Sequence, residues 1–186
     1  MLPKMKSLLS IVLSLMVLTT SAQTKILVFS KTAGFRHSSI IPGKPAIIKL
    51  GKENGFSVDT TEDASKFTDA VLKEYNAIVF LNTTGDVLNN FQQAAFERYI
   101  QAGGGFMGIH AATDCEYNWP WYGKLVGAYF KGHPKTQSAK LNVIDKSHIS
   151  TAHLPDVWER VDEWYNFKKA PSKEDVTVLV TIDEGS

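Results

Sequence analysis

Residues 30–37, with the sequence SKTAGFRH, bring two cations and an imidazole into one short segment. Lys31 and Arg36 are candidates to bind an anion or a sugar hydroxyl, and His37 is a candidate base or metal ligand. The segment lacks the glycine spacing and the Lys-Ser/Thr pair of a phosphate-binding loop. A surface loop whose histidine caps the next helix explains the same residues, and the spacing does not choose between these interpretations.

A second candidate lies in residues 103–114, GGGFMGIHAATD, where three glycines and a short apolar run precede His110. A polar residue directly after an apolar strand, followed by small residues, is typical of the sharp turn that exposes a catalytic side chain in a nucleophile elbow. His110 could act there as a general base or bind a metal through one ring nitrogen. The alternative is a histidine whose nitrogens bond to the backbone of a tight turn.

Cys115 is the only cysteine of the chain and follows soon after His110. Its neighbours Asp114 and Glu116 would raise the pKa of a thiol and so oppose its activation as a nucleophile. We therefore interpret Cys115 as a packed residue.

The sequence EYNWPWYG is rich in aromatic side chains. Trp119, Trp121 and Tyr122 suit stacking against the C–H faces of a sugar ring. Core packing is the alternative, but Pro120 and the polar neighbours favour a structured, partly exposed loop. We therefore predict that these three rings bind substrate together with Asp114.

Two further candidates lie in the second half of the chain. His133, which precedes a proline in FKGHP, is a candidate metal ligand or proton shuttle. In residues 162–165, DEWY, two adjacent carboxylates point to opposite faces if the segment is a strand, so only one can enter a given cleft. We assign an acid/base role to Glu163, against the alternative of a solvated pair.

These candidates depend on the elements that position them. Apolar runs predict strands at residues 25–29, 56–60, 77–81 and 106–109, and helical spacing predicts helices at 42–54, 69–75 and 90–101. Gly55 and Gly103 stop two of the helices. After Trp119 the pattern is less regular, with further strands predicted at 139–144 and 176–182.

Strands that alternate with helices predict an α/β fold with a mostly parallel sheet covered on both faces. Ligands of such folds bind at the carboxyl ends of the strands. The segments that follow strands are residues 30–37, 82–86 and 110–114, so the candidate residues cluster where a site is expected.

The N-terminus has the features of a secretory signal in the right order. Lys4 and Lys6 precede an apolar run at residues 8–18, and small residues follow. The run is too short to span a membrane, which takes about 20 apolar residues. We expect cleavage after Ala22, a domain over residues 23–186, and export to the periplasm or the cell exterior.

The charge of the chain argues against nucleic acid as a partner. Removal of the signal changes the formal net charge from +1 to −1, and no cluster of Lys and Arg remains. Binding to nucleic acid requires such a cluster. No second apolar run is long enough to span a membrane.

Taken in order, SKTAGFRH, GGGFMGIHAATD, WPWYG, the His-Pro pair and DEWY resemble the ThuA (trehalose-utilisation) family, from Thr24 to the end of the chain. The resemblance implies a flavodoxin-like, class I glutamine amidotransferase-like three-layer sandwich. It also implies a role in the catabolism of disaccharides such as trehalose or of keto-sugar derivatives. Some relatives are thought to hold a metal such as zinc, and His110 and His133 are its predicted ligands here.

Amidotransferases of this class carry a Cys where this chain has His110, so thiol-dependent glutamine hydrolysis is not expected. We predict an exported enzyme acting on a small carbohydrate, in which His110 and His37 transfer protons or hold a divalent metal and Glu163 acts as an acid or base. The alternative is a non-catalytic carbohydrate-binding module on the same fold. Family members usually continue past the strand that ends near Ile182, so we expect this chain to be a shortened form.

Overall fold

The computed structural model describes residues 23–172 and 174–186. Within them the strands are β1 (Lys25–Phe29), β2 (Ser57–Thr61), β3 (Ala77–Leu81), β4 (Gly105–Ile109), β5 (Phe130–Gly132), β6 (Gln137–Val143), β7 (Val157–Asp162), β8 (Asn166–Phe167) and β9 (Val180–Asp183). The helices are α1 (Ile40–Asn54), α2 (Asp69–Leu72), α3 (Asn90–Gln101) and α4 (Pro120–Val126). None of these helices has the length and apolar character needed to cross a membrane. The predicted signal peptide, residues 1–22, lies outside the described residues.

β1 to β4 form one parallel sheet in the order β2-β1-β3-β4. Leu27 of β1, for example, pairs with Asp59 of β2 on one side and Ile78 of β3 on the other. In flavodoxin-like folds this order places the ligand-binding crevice between β1 and β3, at the carboxyl ends of the strands. The predicted α/β class with a mostly parallel sheet is confirmed.

Alternate residues of the central strands face opposite sides of the sheet, as the two-residue period of a strand requires. Phe29 and Phe80 pack together and belong to the same core cluster as Phe96 of α3. On the other face, Val28 packs with Ile47 of α1. Helices therefore cover both faces, which confirms the three-layer arrangement.

Local capping explains where the longer helices begin and end. The Asn89 side chain accepts a hydrogen bond from the Gln92 N–H while the Gln92 side chain accepts one from the Asn89 N–H, a capping box that starts α3 at its predicted residue. α1 ends at Gly55, whose φ is 76°, as predicted. It begins two residues before the predicted start because Pro42 fits the first turn, where its missing N–H is not needed.

The second half of the described chain departs from the parallel pattern. β6 lies between β7 and β9 in an antiparallel sheet, and β5 pairs with β8. The strand predicted at 139–144 corresponds to β6, whereas the one predicted at 176–182 is wrong in its first four residues. The sequence predicts a loop where α4 lies, because Pro120 reads as a helix breaker although it occupies the first helical position.

Candidate functional site

Backbone hydrogen bonds join the three loops at the carboxyl ends of β1, β3 and β4. The carbonyl of Thr84, after β3, accepts from the N–H of Ala33, after β1, at 2.7 Å. On the other side, the N–H of Gly85 donates to the carbonyl of Asp114, after β4, at 2.9 Å. Gly85 has a φ of 71°, and a Cβ there would lie 3.1 Å from the backbone of the β1 loop. The loop after β3 therefore fixes the two loops that carry histidines on either side of it.

His110 stands at the turn where β4 ends. Its φ is 49°, in the left-handed region that residues other than glycine rarely adopt. The residues that follow form a 3-10 turn in which Ala111 and Ala112 are fully buried. A Cβ on Gly108 would lie 3.0 Å from the Cβ of Ala112, so this glycine lets the turn fold back on the strand. The small residues on both sides of His110 thus allow the tight turn that presents its imidazole.

His37, His110 and Glu163 converge although they come from three separate segments, and we call them the His–Glu cluster. Each can offer one ligand atom, and the three atoms lie within 4.8 Å of one another. Glu163 Oε2 is 3.4 Å from His110 Nε2 and 3.9 Å from His37 Nε2. The two imidazole rings are nearly perpendicular, with centroids 4.8 Å apart. The structure therefore brings together the three residues to which the sequence assigns catalysis.

Glu163 reaches the cluster from the end of β7. The neighbouring Asp162 is engaged elsewhere, since its carboxylate accepts from Arg160 Nη2 at 3.0 Å and from the N–H of Glu163 at 2.9 Å. The two adjacent carboxylates thus point in different directions, as expected at the end of a strand. Only Glu163 enters the cleft.

His133 lies beside the His–Glu cluster and is not part of it. Its Nδ1 is 2.8 Å from the carbonyl of Pro134, which can only accept, so Nδ1 carries the proton and donates it. In the neutral ring Nε2 then has a free lone pair, and it lies 4.0 Å from Glu163 Oε1. The predicted metal pair is His110 and His133, whereas the imidazole that the structure groups with His110 and Glu163 is that of His37.

Burial controls the protonation of His37. Loss of hydration lowers the pKa of its imidazole, and the neighbouring His110 lowers it further. His37 is therefore neutral near pH 7 and keeps one lone pair. Its Nδ1 is buried and has no hydrogen-bond partner among the described residues, so Nε2 is the nitrogen available to the cleft.

The donor atoms of the His–Glu cluster fit a divalent transition metal. Two imidazole nitrogens and a carboxylate oxygen are the ligands of many catalytic zinc sites, which keep a fourth position open. Ligand atoms about 2.1 Å from a tetrahedral ion stand roughly 3.4 Å apart. The Glu163–His110 separation is 3.4 Å and the Glu163–His37 separation is 3.9 Å. All three ligand atoms lie within 4.8 Å of one another, so they must move closer together to bind one ion.

Asp114 lies near the cluster, on the loop after β4. Its charge acts on His37 and on Tyr165. The hydroxyl of Tyr117 donates to Asp114 Oδ1 at 2.5 Å. Among the described residues no hydrogen bond is made to the second carboxylate oxygen, and the binding role of Asp114 stays a prediction.

The two cationic side chains of the β1 loop form hydrogen bonds to other groups of the protein. Lys31 Nζ donates to the carbonyl of Val87 at 2.9 Å. Arg36 makes two hydrogen bonds to Glu62, each 2.9 Å, and Lys44 contacts the same carboxylate at 2.6 Å. Hydrogen bonds from these two cations lower the pKa of Glu62 to about 2. These contacts hold the loop in place, and the substrate-binding role of Lys31 and Arg36 stays a prediction.

Of the aromatic residues predicted to bind a sugar, Tyr122 lies in the core and the two tryptophans are partly buried against it. Tyr122 has no exposed surface, and its hydroxyl donates to the carbonyl of Ala112 at 2.7 Å. Trp119 stacks on Tyr122 and on Trp121, with centroid separations of 5.8 and 5.1 Å, and both tryptophans pack against the core cluster of Phe96. The prediction is wrong for Tyr122, which no ligand can reach. The tryptophans use their ring faces for packing, because α4 turns this segment toward the sheet.

A different set of rings surrounds the cluster. The ring of Tyr165 lies 4.3 Å from that of His110 and 4.2 Å from that of Phe130. Phe35 is 70% exposed and meets the ring of His37 edge-on at 4.9 Å. The sequence analysis assigns none of these three aromatic residues to the site. Tyr165 could have been found, since it follows Glu163 by two residues and so lies on the same side of an extended chain.

Cys115 is fully buried, and its thiol contacts the carbonyl of Gly85 at 3.1 Å. Burial raises the pKa of the thiol far above its usual value, so the interpretation as a packed cysteine is confirmed.

The adjacent Glu116 is a buried carboxylate with a structural role that the sequence does not reveal. Its Oε1 accepts from the N–H groups of Val87 and Leu88, both at 2.8 Å.

The strand order β2-β1-β3-β4, together with a left-handed residue at the end of β4, defines an α/β protein of the flavodoxin-like, class I glutamine amidotransferase-like architecture. The residue at that turn is His110. Residues 25–186 match the model of the family described as ThuA, trehalose utilisation. The chain belongs to the ThuA family.

Two solved structures are similar to this chain. A protein from Bacteroides uniformis ATCC 8492, described as ThuA-like, shares 31% identity and a TM-score of 0.76 over 88% of this chain and 69% of that chain. A protein from Parabacteroides merdae ATCC 43184, also described as ThuA-like, shares 21% identity and a TM-score of 0.65 over 78% and 63% of the two chains, and supports the fold alone. This chain thus spans about two thirds of the length of either protein. No curated protein matches it.

Proposed function

We propose that this ThuA-family protein binds a divalent metal such as zinc through the His–Glu cluster and acts on a disaccharide such as trehalose or on a keto-sugar derivative. The observation that carries the proposal is the convergence of His37, His110 and Glu163, with one ligand atom from each within 4.8 Å of the others. Such a set leaves an open position for a ligand oxygen.

A keto-sugar isomerase or lyase needs a group that stabilises negative charge and a base that accepts a proton, and the cluster and its neighbours can supply both. A bound cation would stabilise the negative charge that develops on a sugar oxygen when a proton leaves the adjacent carbon. In the neutral ring of His133, the bond from Nδ1 to the carbonyl of Pro134 leaves the lone pair on Nε2, which lies 4.0 Å from Glu163 Oε1. We assign to this nitrogen the acceptance of that proton, and in an isomerisation its return to the neighbouring carbon.

A carbohydrate suits the surroundings of the cluster. Phe35, Phe130 and Tyr165 offer aromatic surface to the C–H faces of a sugar ring. The free oxygen of Asp114 can accept from a sugar hydroxyl. The trehalose-utilisation description of the family favours this ligand class over others.

We also propose export to the periplasm or the cell exterior, on the strength of the signal-like residues 1–22. Expression of the chain with its N-terminus intact, followed by intact-mass measurement of the extracytoplasmic fraction, tests this. A mature N-terminus at Gln23 is expected, and retention of Met1 in the cytoplasm would contradict export.

Elemental analysis of protein purified without chelator tests the metal site. We expect close to one transition-metal ion per chain, and its loss in His110→Ala and in Glu163→Gln. His153→Ala is the matched control, because His153 is exposed and outside the cluster, and this variant should keep the metal. Metal content that is equally low in all four proteins, after incubation with zinc, would contradict the proposal.

Activity separates the enzyme from a binding module. Metal-loaded protein is incubated with trehalose and with its keto derivative, and products are followed by NMR. Conversion that disappears in His133→Ala supports the enzyme. Binding of sugar without conversion, undiminished in His110→Ala, would favour a non-catalytic module, a role suggested by the absence of a cysteine at the β4 turn.

A further inference from the structure

His37 offers a single nitrogen to the cleft, and two groups approach it. Nδ1 is buried without a hydrogen-bond partner among the described residues. Nε2 lies 3.3 Å from the hydroxyl of Tyr165 and 3.9 Å from Glu163 Oε2. Any ion held by the His–Glu cluster must therefore use the same nitrogen that the tyrosine hydroxyl contacts.

A neutral imidazole has one lone pair, so this nitrogen cannot accept a hydrogen bond and bind a metal at the same time. Tyr165 is suited to the donor role because a tyrosine hydroxyl is protonated near neutral pH and can donate its hydrogen. The two contacts are mutually exclusive uses of His37 Nε2.

The ring of Tyr165 packs among three other rings of the site. Its centroid lies 4.3 Å from His110, 4.2 Å from Phe130 and 5.7 Å from His133. An ion about 2.1 Å from His37 Nε2 on the same lone pair would overlap the hydroxyl oxygen, which lies 3.3 Å from that nitrogen, so the hydroxyl must move aside when the ion binds. It can then donate to a ligand bound beside His37.

We infer that the Tyr165 hydroxyl and the metal compete for His37 Nε2: the hydroxyl caps this nitrogen in the metal-free protein, and metal binding turns the hydroxyl toward the ligand. The inference rests on the proposed metal site. It makes Tyr165 a hydrogen-bond donor that becomes available to the sugar only in the loaded protein, so metal and sugar binding are coupled through one side chain.

The test is the zinc affinity of Tyr165→Phe, measured by calorimetry in competition with a chelator. Loss of one net hydrogen bond from the metal-free state should tighten zinc binding about two- to tenfold. Tyr99→Phe is the matched control, because the Tyr99 hydroxyl bonds to the carbonyl of Tyr75 and to no histidine; its zinc affinity should equal that of the unaltered protein.

Equal or weaker zinc binding by Tyr165→Phe would overturn the inference and leave the metal site standing. Absence of zinc binding by the unaltered protein would overturn the metal site and the inference with it. In the zinc-loaded state, Tyr165→Phe should bind trehalose, the probe used, about two- to tenfold more weakly than the unaltered protein. Equal sugar affinity would overturn the role of the hydroxyl toward the ligand.

A second measurement needs no variant. Long-range proton–nitrogen NMR of the metal-free protein reports which nitrogen of each histidine carries hydrogen. The inference requires His37 with hydrogen on Nδ1 and an accepting Nε2. Hydrogen on Nε2 would overturn it, because a protonated ring nitrogen cannot accept from the tyrosine.

Discussion

Glu163 Oε2 lies 3.4 Å from His110 Nε2, although His110 ends a strand of the parallel sheet and Glu163 ends a strand of the antiparallel sheet. The contact joins two parts of the chain whose strands share no hydrogen-bonded pair. The His–Glu cluster therefore exists only when both sheets are folded and docked. The distances between its ligand atoms therefore depend on how the two sheets pack together.

The backbone at His110 predicts an unusual order of stability between two variants. At a φ of 49° the backbone is strained for every residue that carries a Cβ, whereas glycine adopts this conformation without strain. His110→Gly should therefore be more stable than His110→Ala by up to about 1 kcal/mol in urea denaturation. Ala46, exposed within α1, is the control, because glycine there should destabilise by about 0.5–1 kcal/mol. A His110→Ala protein at least as stable as His110→Gly would contradict the assigned conformation.

Phe35 is predicted to bind the ligand without holding the metal. Its backbone is fixed by the Thr84 hydroxyl, which donates to its carbonyl at 2.8 Å, while its ring remains exposed beside His37. Phe35→Ala should weaken trehalose binding about two- to tenfold, the effect expected for one aromatic contact, and leave zinc affinity unchanged. Phe91→Ala removes an even more exposed ring on α3 and should alter neither. Calorimetry with both ligands decides, and unchanged sugar affinity in Phe35→Ala would exclude a binding role.

Glu116 is predicted to stabilise the loop between β3 and α3. Its carboxylate accepts from two backbone N–H groups and from Gln93 Nε2, the last at 2.7 Å. Glu116→Ala leaves these donors buried and unpaired, so the free energy of unfolding should fall by about 2–5 kcal/mol. Glu116→Gln keeps an acceptor and should lose clearly less. Urea denaturation measures both, and equal losses would show that packing, not hydrogen bonding, is the contribution of this side chain.

The Glu62 ion pairs predict a pH-dependent contribution to stability. Arg36 and Lys44 lower the pKa of Glu62 from 4.5 to about 2, so the folded state favours the ionised carboxylate. This stabilisation is complete above pH 4.5 and is lost as the pH falls from 4.5 toward 2. The difference in unfolding free energy between the unaltered protein and Glu62→Gln should shrink across that window. It should stay below about 1 kcal/mol, because the pair is exposed to solvent.

Chemical denaturation at pH 7 and pH 3 checks the Glu62 prediction. Added salt at pH 7 should reduce the difference in the same direction, since it screens exposed charges. A difference that grows on acidification would have the wrong sign and would contradict the assignment.

The fold of the first half could be predicted because its signals are local. The apolar runs of β1 and β3 and the helical spacing of α3 gave bounds identical to those observed. The strands of the antiparallel sheet depend on partners distant in the chain, and β7, with the sequence VWERVD, carries too little alternation to be found. The short helix α4 is hidden because its proline and aromatic residues also suit a loop.

The candidate site could be predicted one residue at a time but not as a group. His37 and His110 come after strands that the sequence predicts, and Glu163 is assigned from its pair with Asp162. Their convergence depends on how the two sheets dock, and spacing along the chain does not encode it. The same limitation led to the pairing of His110 with His133, and to Tyr122 as a ligand residue when its ring belongs to the core.

The burial of Cys115 gives this chain a built-in probe. It is the only thiol in the sequence, and its contact with Gly85 lies at the junction of the loops after β3 and β4. A thiol reagent can modify it only when that junction opens, so the modification rate measures the population of opened molecules. Unfolding of every variant described above can thus be followed by mass spectrometry, without a label or an added reporter residue.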